Sequence, residues 1–72
     1  MNKVLIKTDY IKLGQFLKYI GTISNGSDAK IFLESTTVLV NNEPEDRRGR
    51  KLYNNDVVSI NKIEYIIAND NN

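Results

Sequence analysis

The sequence contains no cysteine and no histidine. Without cysteine, neither a disulfide nor a thiolate zinc site can staple the fold. Without histidine, the commonest general base and the commonest metal ligand are both missing. Long apolar runs are missing as well. Val4-Leu5-Ile6 is three residues long, against the roughly 20 that cross a bilayer and the ~7–15 of a signal-peptide core. There is no phosphate-cradling glycine loop and no nucleophile elbow. A cytoplasmic protein is therefore expected, non-catalytic, with no cofactor, no small-molecule substrate and no membrane association.

What the 72 residues do contain is enough for one domain and one core. A chain this short buries only about 60% of the surface it exposes when unfolded. Its apolar fraction is 40%, clustered between turn-forming residues, as a folded module requires. The net charge of +1 conceals an uneven distribution. Residues 1–33 hold five lysines and two aspartates, whereas residues 34–72 hold five basic and seven acidic residues. Four of those five basic residues fall in Arg47-Arg48-Gly49-Arg50-Lys51. A weakly charged chain with one dense basic cluster still presents a local field to a polyanion.

The hydrophobic period changes along the chain. Val4-Leu5-Ile6-Lys7-Thr8 reads as a short strand. Between Ile11 and Ile20, the residues Leu13, Phe16, Leu17 and Ile20 form the stripe of a helix with one buried face. Gly21 is placed to close that helix in the left-handed conformation, and Asp9 precedes it, where a carboxylate suits the positive dipole end. The polar stretch Ser24 to Asp28 leads into a second helix over 29–34, with Ala29, Phe32 and Leu33 as its stripe and Phe32 near Phe16. From Thr37 the period is two: Val38-Leu39-Val40 runs into an Asn41-Asn42 turn. A long polar connection through Glu43-Pro44-Glu45-Asp46 and the basic cluster follows. Tyr53-Asn54-Asn55-Asp56 is a second turn, and Val57–Ile60 and Ile63–Ile67 form a hairpin about Asn61-Lys62. Residues 1–68 are expected to form the domain and 69–72 a frayed tail. The ten asparagines are spread out and form no low-complexity tract.

A strand, two helices and further short strands make an α+β domain, with two short helices on a small, twisted, mainly antiparallel sheet. Within that order, Lys12-Leu13-Gly14-Gln15-Phe16-Leu17, Gly21, Ala29-Lys30-Ile31-Phe32-Leu33 and Val38-Leu39-Val40-Asn41 resemble the S4 RNA-binding domain. Asn41-Asn42-Glu43-Pro44-Glu45, the run Arg47 to Leu52, and Asp56-Val57-Val58 look like its small stand-alone bacterial members of the YaaA type. The resemblance covers residues 4–67. It departs where many members have Ser-Arg at the start of the second helix and this chain has Asn25-Gly26. Glycines usual in the family are replaced by Asn42 and Asn55, which keep access to left-handed backbone.

The resemblance implies binding of structured RNA, with ribosomal RNA as the favoured partner; separately, a monomer is expected. The candidate contacts are Lys12, Asn25, Ser27, Lys30, Arg47, Arg48, Arg50 and Lys51. An arginine fork binds a phosphate through two hydrogen bonds, and a helix start offers backbone N–H groups to anions. The alternative for the cluster is a solvated loop whose arginines pair with Glu43, Glu45 and Asp46. The tyrosines Tyr10, Tyr19, Tyr53 and Tyr65 are available for stacking, but composition does not orient them. Two other functions stay open, a protein-binding adaptor and a small DNA-binding module. A helix bearing only Lys30 as cation suits the latter poorly.

Overall fold

The β-branched and aliphatic segments at both ends of the chain meet in one sheet. In the computed structural model, which describes residues 1–70, β1 (Asn2–Ile6) lies parallel to β7 (Ile63–Asn69), with Val4 opposite Ile67. β7 pairs antiparallel with β6 (Val57–Ile60), β6 with β3 (Val38–Val40), and β3 with β4 (Glu43–Pro44). The sheet order is β1-β7-β6-β3-β4. Alternation along these strands turns Val4, Ile6, Val38, Val40, Val58, Ile60 and Ile67 into one buried layer.

Both hairpin turns hold two consecutive residues in left-handed backbone, three of the four being asparagine. Asn41 and Asn42 have φ of 52° and 70°, and Asn61 and Lys62 have 51° and 68°. Two consecutive positive φ values are the requirement of a two-residue turn whose twist matches the flanking strands. Asn55, at φ 76°, serves the turn between β5 (Lys51–Tyr53) and β6.

The helices α1 (Leu13–Tyr19) and α2 (Asp28–Ser35) cover the buried layer. Leu13, Phe16, Leu17, Ala29 and Leu33 join the sheet residues in one core cluster. Each large apolar side chain buried this way contributes about 1.5–3 kcal/mol relative to exposure. Phe16 meets the edge of Tyr65 at 5.4 Å between ring centres, with planes 84° apart. Gly21, at φ 81°, ends α1 as expected. Its N–H donates to Lys18 O at 3.0 Å and that of Thr22 to Leu17 O at 3.0 Å, the paired hydrogen bonds of a Schellman cap.

Several boundaries differ from the sequence-based expectation. The first strand is shifted toward the N-terminus, and the second helix gains Asp28 and Ser35. The first helix starts at Leu13, because Tyr10–Lys12 is a separate strand, β2, paired antiparallel with β5. Asp9 consequently precedes a strand, and the first turn of α1 holds no acid. The polar connection contains β4 and β5. Asn69, expected in the tail, closes β7: its N–H donates to Asn54 Oδ1 and its Nδ2 to Thr8 O, both at 2.8 Å. The end of the expected tail, residues 71 and 72, lies outside the described residues. No helix among them is long and apolar enough to cross a membrane.

Candidate nucleic-acid interface

The start of α1 needs acceptors for its unpaired N–H groups. Gln15 Oε1 accepts from Lys12 N–H at 3.2 Å, but the lysine side chain has no acceptor to return. The basic loop supplies them. Leu13 N–H donates to Arg50 O at 2.8 Å, and Gly14 N–H to Arg48 O at 2.9 Å. A β-carbon on Gly14 would lie 3.4 Å from Arg48 O and 3.6 Å from Ala29 Cβ. The small size of residue 14, where nothing larger than a methyl fits without displacement, therefore lets the start of α1, the first turn of α2 and the basic loop come together.

β2 and β5 extend this junction. Their register sets Tyr10 opposite Tyr53, Ile11 opposite Leu52 and Lys12 opposite Lys51. Leu52 is fully buried and Ile11 packs against the core, so Tyr10, Lys12, Lys51 and Tyr53 share the other face. The two rings are 5.8 Å apart and tilted by 50°, and Lys51 Nζ lies 4.9 Å from the Tyr10 ring centre. The tyrosines and lysines alternate with apolar residues in Tyr10-Ile11-Lys12 and Lys51-Leu52-Tyr53. That period of two was available in the sequence, though three residues are too few to separate it from the neighbouring helical stripe. Tyr65, in contrast, packs on Phe16 and belongs with the core.

The arginines of the cluster divide into two kinds. Glu45 is buried, its side chain only 6% exposed. Its carboxylate accepts from Arg47 Nε at 3.0 Å, Arg47 Nη2 at 3.1 Å, Arg47 N–H at 3.1 Å and Arg50 Nη1 at 2.7 Å. The Arg47 side chain is the main reason that the Glu45 pKa falls from its ordinary 4.5 to about 2. Burial opposes the shift, while Arg50 and the Arg47 backbone N–H reinforce it. The alternative of internal pairing thus holds for Arg47 and Arg50 with Glu45. Among the described residues no ion pair is formed by Glu43, Asp46, Arg48 or Lys51. The Arg47 side chain nonetheless remains 73% exposed and that of Arg50 34%, so neither is enclosed by its pairing with Glu45.

At the start of α2, Asn25 Oδ1 accepts from the backbone N–H and the hydroxyl of Ser27. Asp28 N–H donates to Asn25 O and Ala29 N–H to Gly26 O. These backbone amides, expected to be open to an anion, are committed to the turn, and the Asp28 carboxylate stands in the first helical turn. Lys30 is exposed one residue beyond Ala29. Arg48 thus lies against Gly14, Lys12 and Lys51 stand opposite one another on the adjoining ribbon, and Lys30 follows Ala29 on α2, with Asn25 and Ser27 in the turn leading to that helix.

The chain is 56% identical over 59 residues to the probable ribosome maturation protein RlbA of Bacillus subtilis (strain 168), covering 82% of this chain and 83% of that protein. The profile of the S4 domain matches residues 4–68, from the first buried residue of β1 to the penultimate residue of β7, and on that match the chain belongs to the S4-domain family.

Proposed function

We propose that this protein is a non-catalytic binder of structured RNA, acting on ribosomal RNA. The face involved is formed by the start of α1, the start of α2 and the Arg47–Lys51 loop. The observation that carries this reading is the pair of backbone hydrogen bonds from Leu13 and Gly14 to Arg50 and Arg48. They hold a basic loop against the start of α1, which Ala29 of α2 also approaches, and the register of β2 with β5 adds Lys12 beside Lys51. Family membership and the name of the Bacillus subtilis relative support the same reading.

In this reading Lys12, Lys30, Arg48 and Lys51 meet phosphates directly. Arg47 and Arg50 divide their donors between Glu45 and the RNA, and Asn25 and Ser27 add neutral polar contacts. Recognition rests on shape and phosphate position, because an A-form major groove is too narrow for side chains to read. The eight-residue α2, with Asp28 in its first turn, is a poor reader of a DNA major groove.

The test is binding of wild type and a Lys12/Arg48/Lys51→Gln variant to ribosomal RNA fragments across a salt series. Replacing Arg47 or Arg50 would confuse binding with folding, since each neutralises a buried carboxylate. With about three to five phosphate contacts, a threefold rise in salt weakens wild-type binding roughly 10–100-fold. The variant is expected to bind more weakly with a shallower slope. Equal binding by both proteins would remove the face from the interface. Association with ribosomal particles that survives nuclease treatment would favour a protein partner instead.

A further inference from the structure

A groove runs along the β2–α1 junction. Gln15, Lys18 and Tyr19 stand at i, i+3 and i+4 on α1, away from the buried stripe of Leu13, Phe16 and Leu17. They face the groove together with Tyr10, Ile11 and Lys12 of β2. Tyr19 is 63% exposed, so its ring is not spent on the core. Tyr10 is held by Tyr53 and Lys51, neither of which lines the groove. The groove thus has two tyrosine rings, an apolar contribution from Ile11, and two ammonium groups from Lys12 and Lys18. Gln15 spends its Oε1 on Lys12 N–H and retains its amide donor. Asp9 is the one acid in the lining, outnumbered by the lysines and able to accept from a base amino group.

We propose that this groove takes a single unpaired nucleotide of the bound RNA. The base stacks on Tyr19 or Tyr10, and Lys12 and Lys18 hold its flanking phosphates. An aromatic ring beside cations at phosphate reach is what an unstacked nucleotide requires, since every base offers a π-face and every linkage a charge. A paired base cannot use it, because its faces are covered by its neighbours in the helix. The inference rests on the RNA-binding reading above but adds a substrate class to it: duplex RNA interrupted by a bulged or looped-out nucleotide. Lys12 joins the two surfaces, as it lies both at the Gly14 junction and in the groove lining.

The experiment compares a fully paired RNA hairpin with the same hairpin carrying one bulged 2-aminopurine. Binding is read by anisotropy and base stacking by 2-aminopurine fluorescence. Wild type is expected to prefer the bulged hairpin and to quench its fluorescence. Tyr19→Leu, at an exposed position that leaves the core intact, is expected to weaken bulge binding about 5–150-fold. Its affinity for the paired hairpin and its salt slope should stay unchanged, because no phosphate contact is lost. Lys18→Gln should lower the salt slope on the bulged hairpin by about one phosphate contact. Tyr10→Leu, with its melting temperature checked, tests the second ring. If both tyrosine variants bind and quench as wild type does while the paired hairpin still binds, the groove proposal is overturned and the RNA-binding reading stands. If wild type binds neither hairpin above background at low salt, both fall.

Discussion

Lys12 and Lys51 stand directly opposite one another across the antiparallel β2–β5 ribbon, and two ammonium side chains leave the same face of it. Like charges so placed are destabilising in a sheet pair. Lys12 also precedes the N-terminus of α1, where the helix dipole disfavours a cation. A phosphate between the two lysines would turn both costs into binding energy. Lys12→Gln is therefore expected to raise stability by a few tenths of a kcal/mol at low salt. It should also weaken binding to structured RNA and reduce the salt slope by about one contact. Thermal melts at two ionic strengths, set beside the binding series, check the opposing signs.

Glu45 makes stability depend on pH. Its folded-state pKa of about 2 lies below its ordinary 4.5, so its contribution is fully present above pH 4.5. That contribution is lost as pH falls from about 4.5 to about 2, and its upper bound is about 3 kcal/mol. Melting temperature should drop across that window in the wild type, and drop less in Glu45→Gln.

The two arginine classes predict different losses. Arg50→Gln removes a hydrogen bond to a buried carboxylate and should cost about 1.5–3 kcal/mol. Arg48→Gln, with no carboxylate partner among the described residues, should change stability by less than about 0.5 kcal/mol while weakening RNA binding. Urea unfolding separates them. Equal destabilisation by both would refute the division.

Gly14 leaves room for one methyl and little more, since a β-carbon there would meet its nearest atoms at 3.4–3.6 Å. Gly14→Ala should be neutral or gain up to about 1 kcal/mol from helix propensity. Gly14→Val should lose about 1–3 kcal/mol by overpacking and weaken RNA binding by displacing the loop from α1. Denaturant midpoints and RNA affinity measured on both variants check this.

At the β6–β7 turn, Lys62 holds φ 68° without the side-chain carbonyl that eases asparagine into that region. Lys62→Gly restores the preferred Asn-Gly pair of a two-residue hairpin turn and should stabilise by about 0.5–1 kcal/mol. A melting temperature equal to or below wild type would count against this account of the turn.

Local patterns in the sequence were sufficient for the helices and most strands. The Leu13-Phe16-Leu17 stripe, the Gly21 cap, Val38–Val40 and the asparagine turns each declare themselves within a few residues, because periodicity and backbone preference are local properties. The ordered set of those patterns also carried the family. Tertiary structure alone decided the rest. β2 and β5 are three residues each and become strands only by pairing with one another across most of the chain. Which acid answers the arginines could not be read from Glu43, Glu45 and Asp46, three carboxylates within four positions, until the fold buried one of them. Tyr10 and Tyr65 are alike in composition, yet one lines a charged groove and the other packs on Phe16. Burial and cross-strand partnership depend on distant residues, and these set the charge and the shape of the candidate interface.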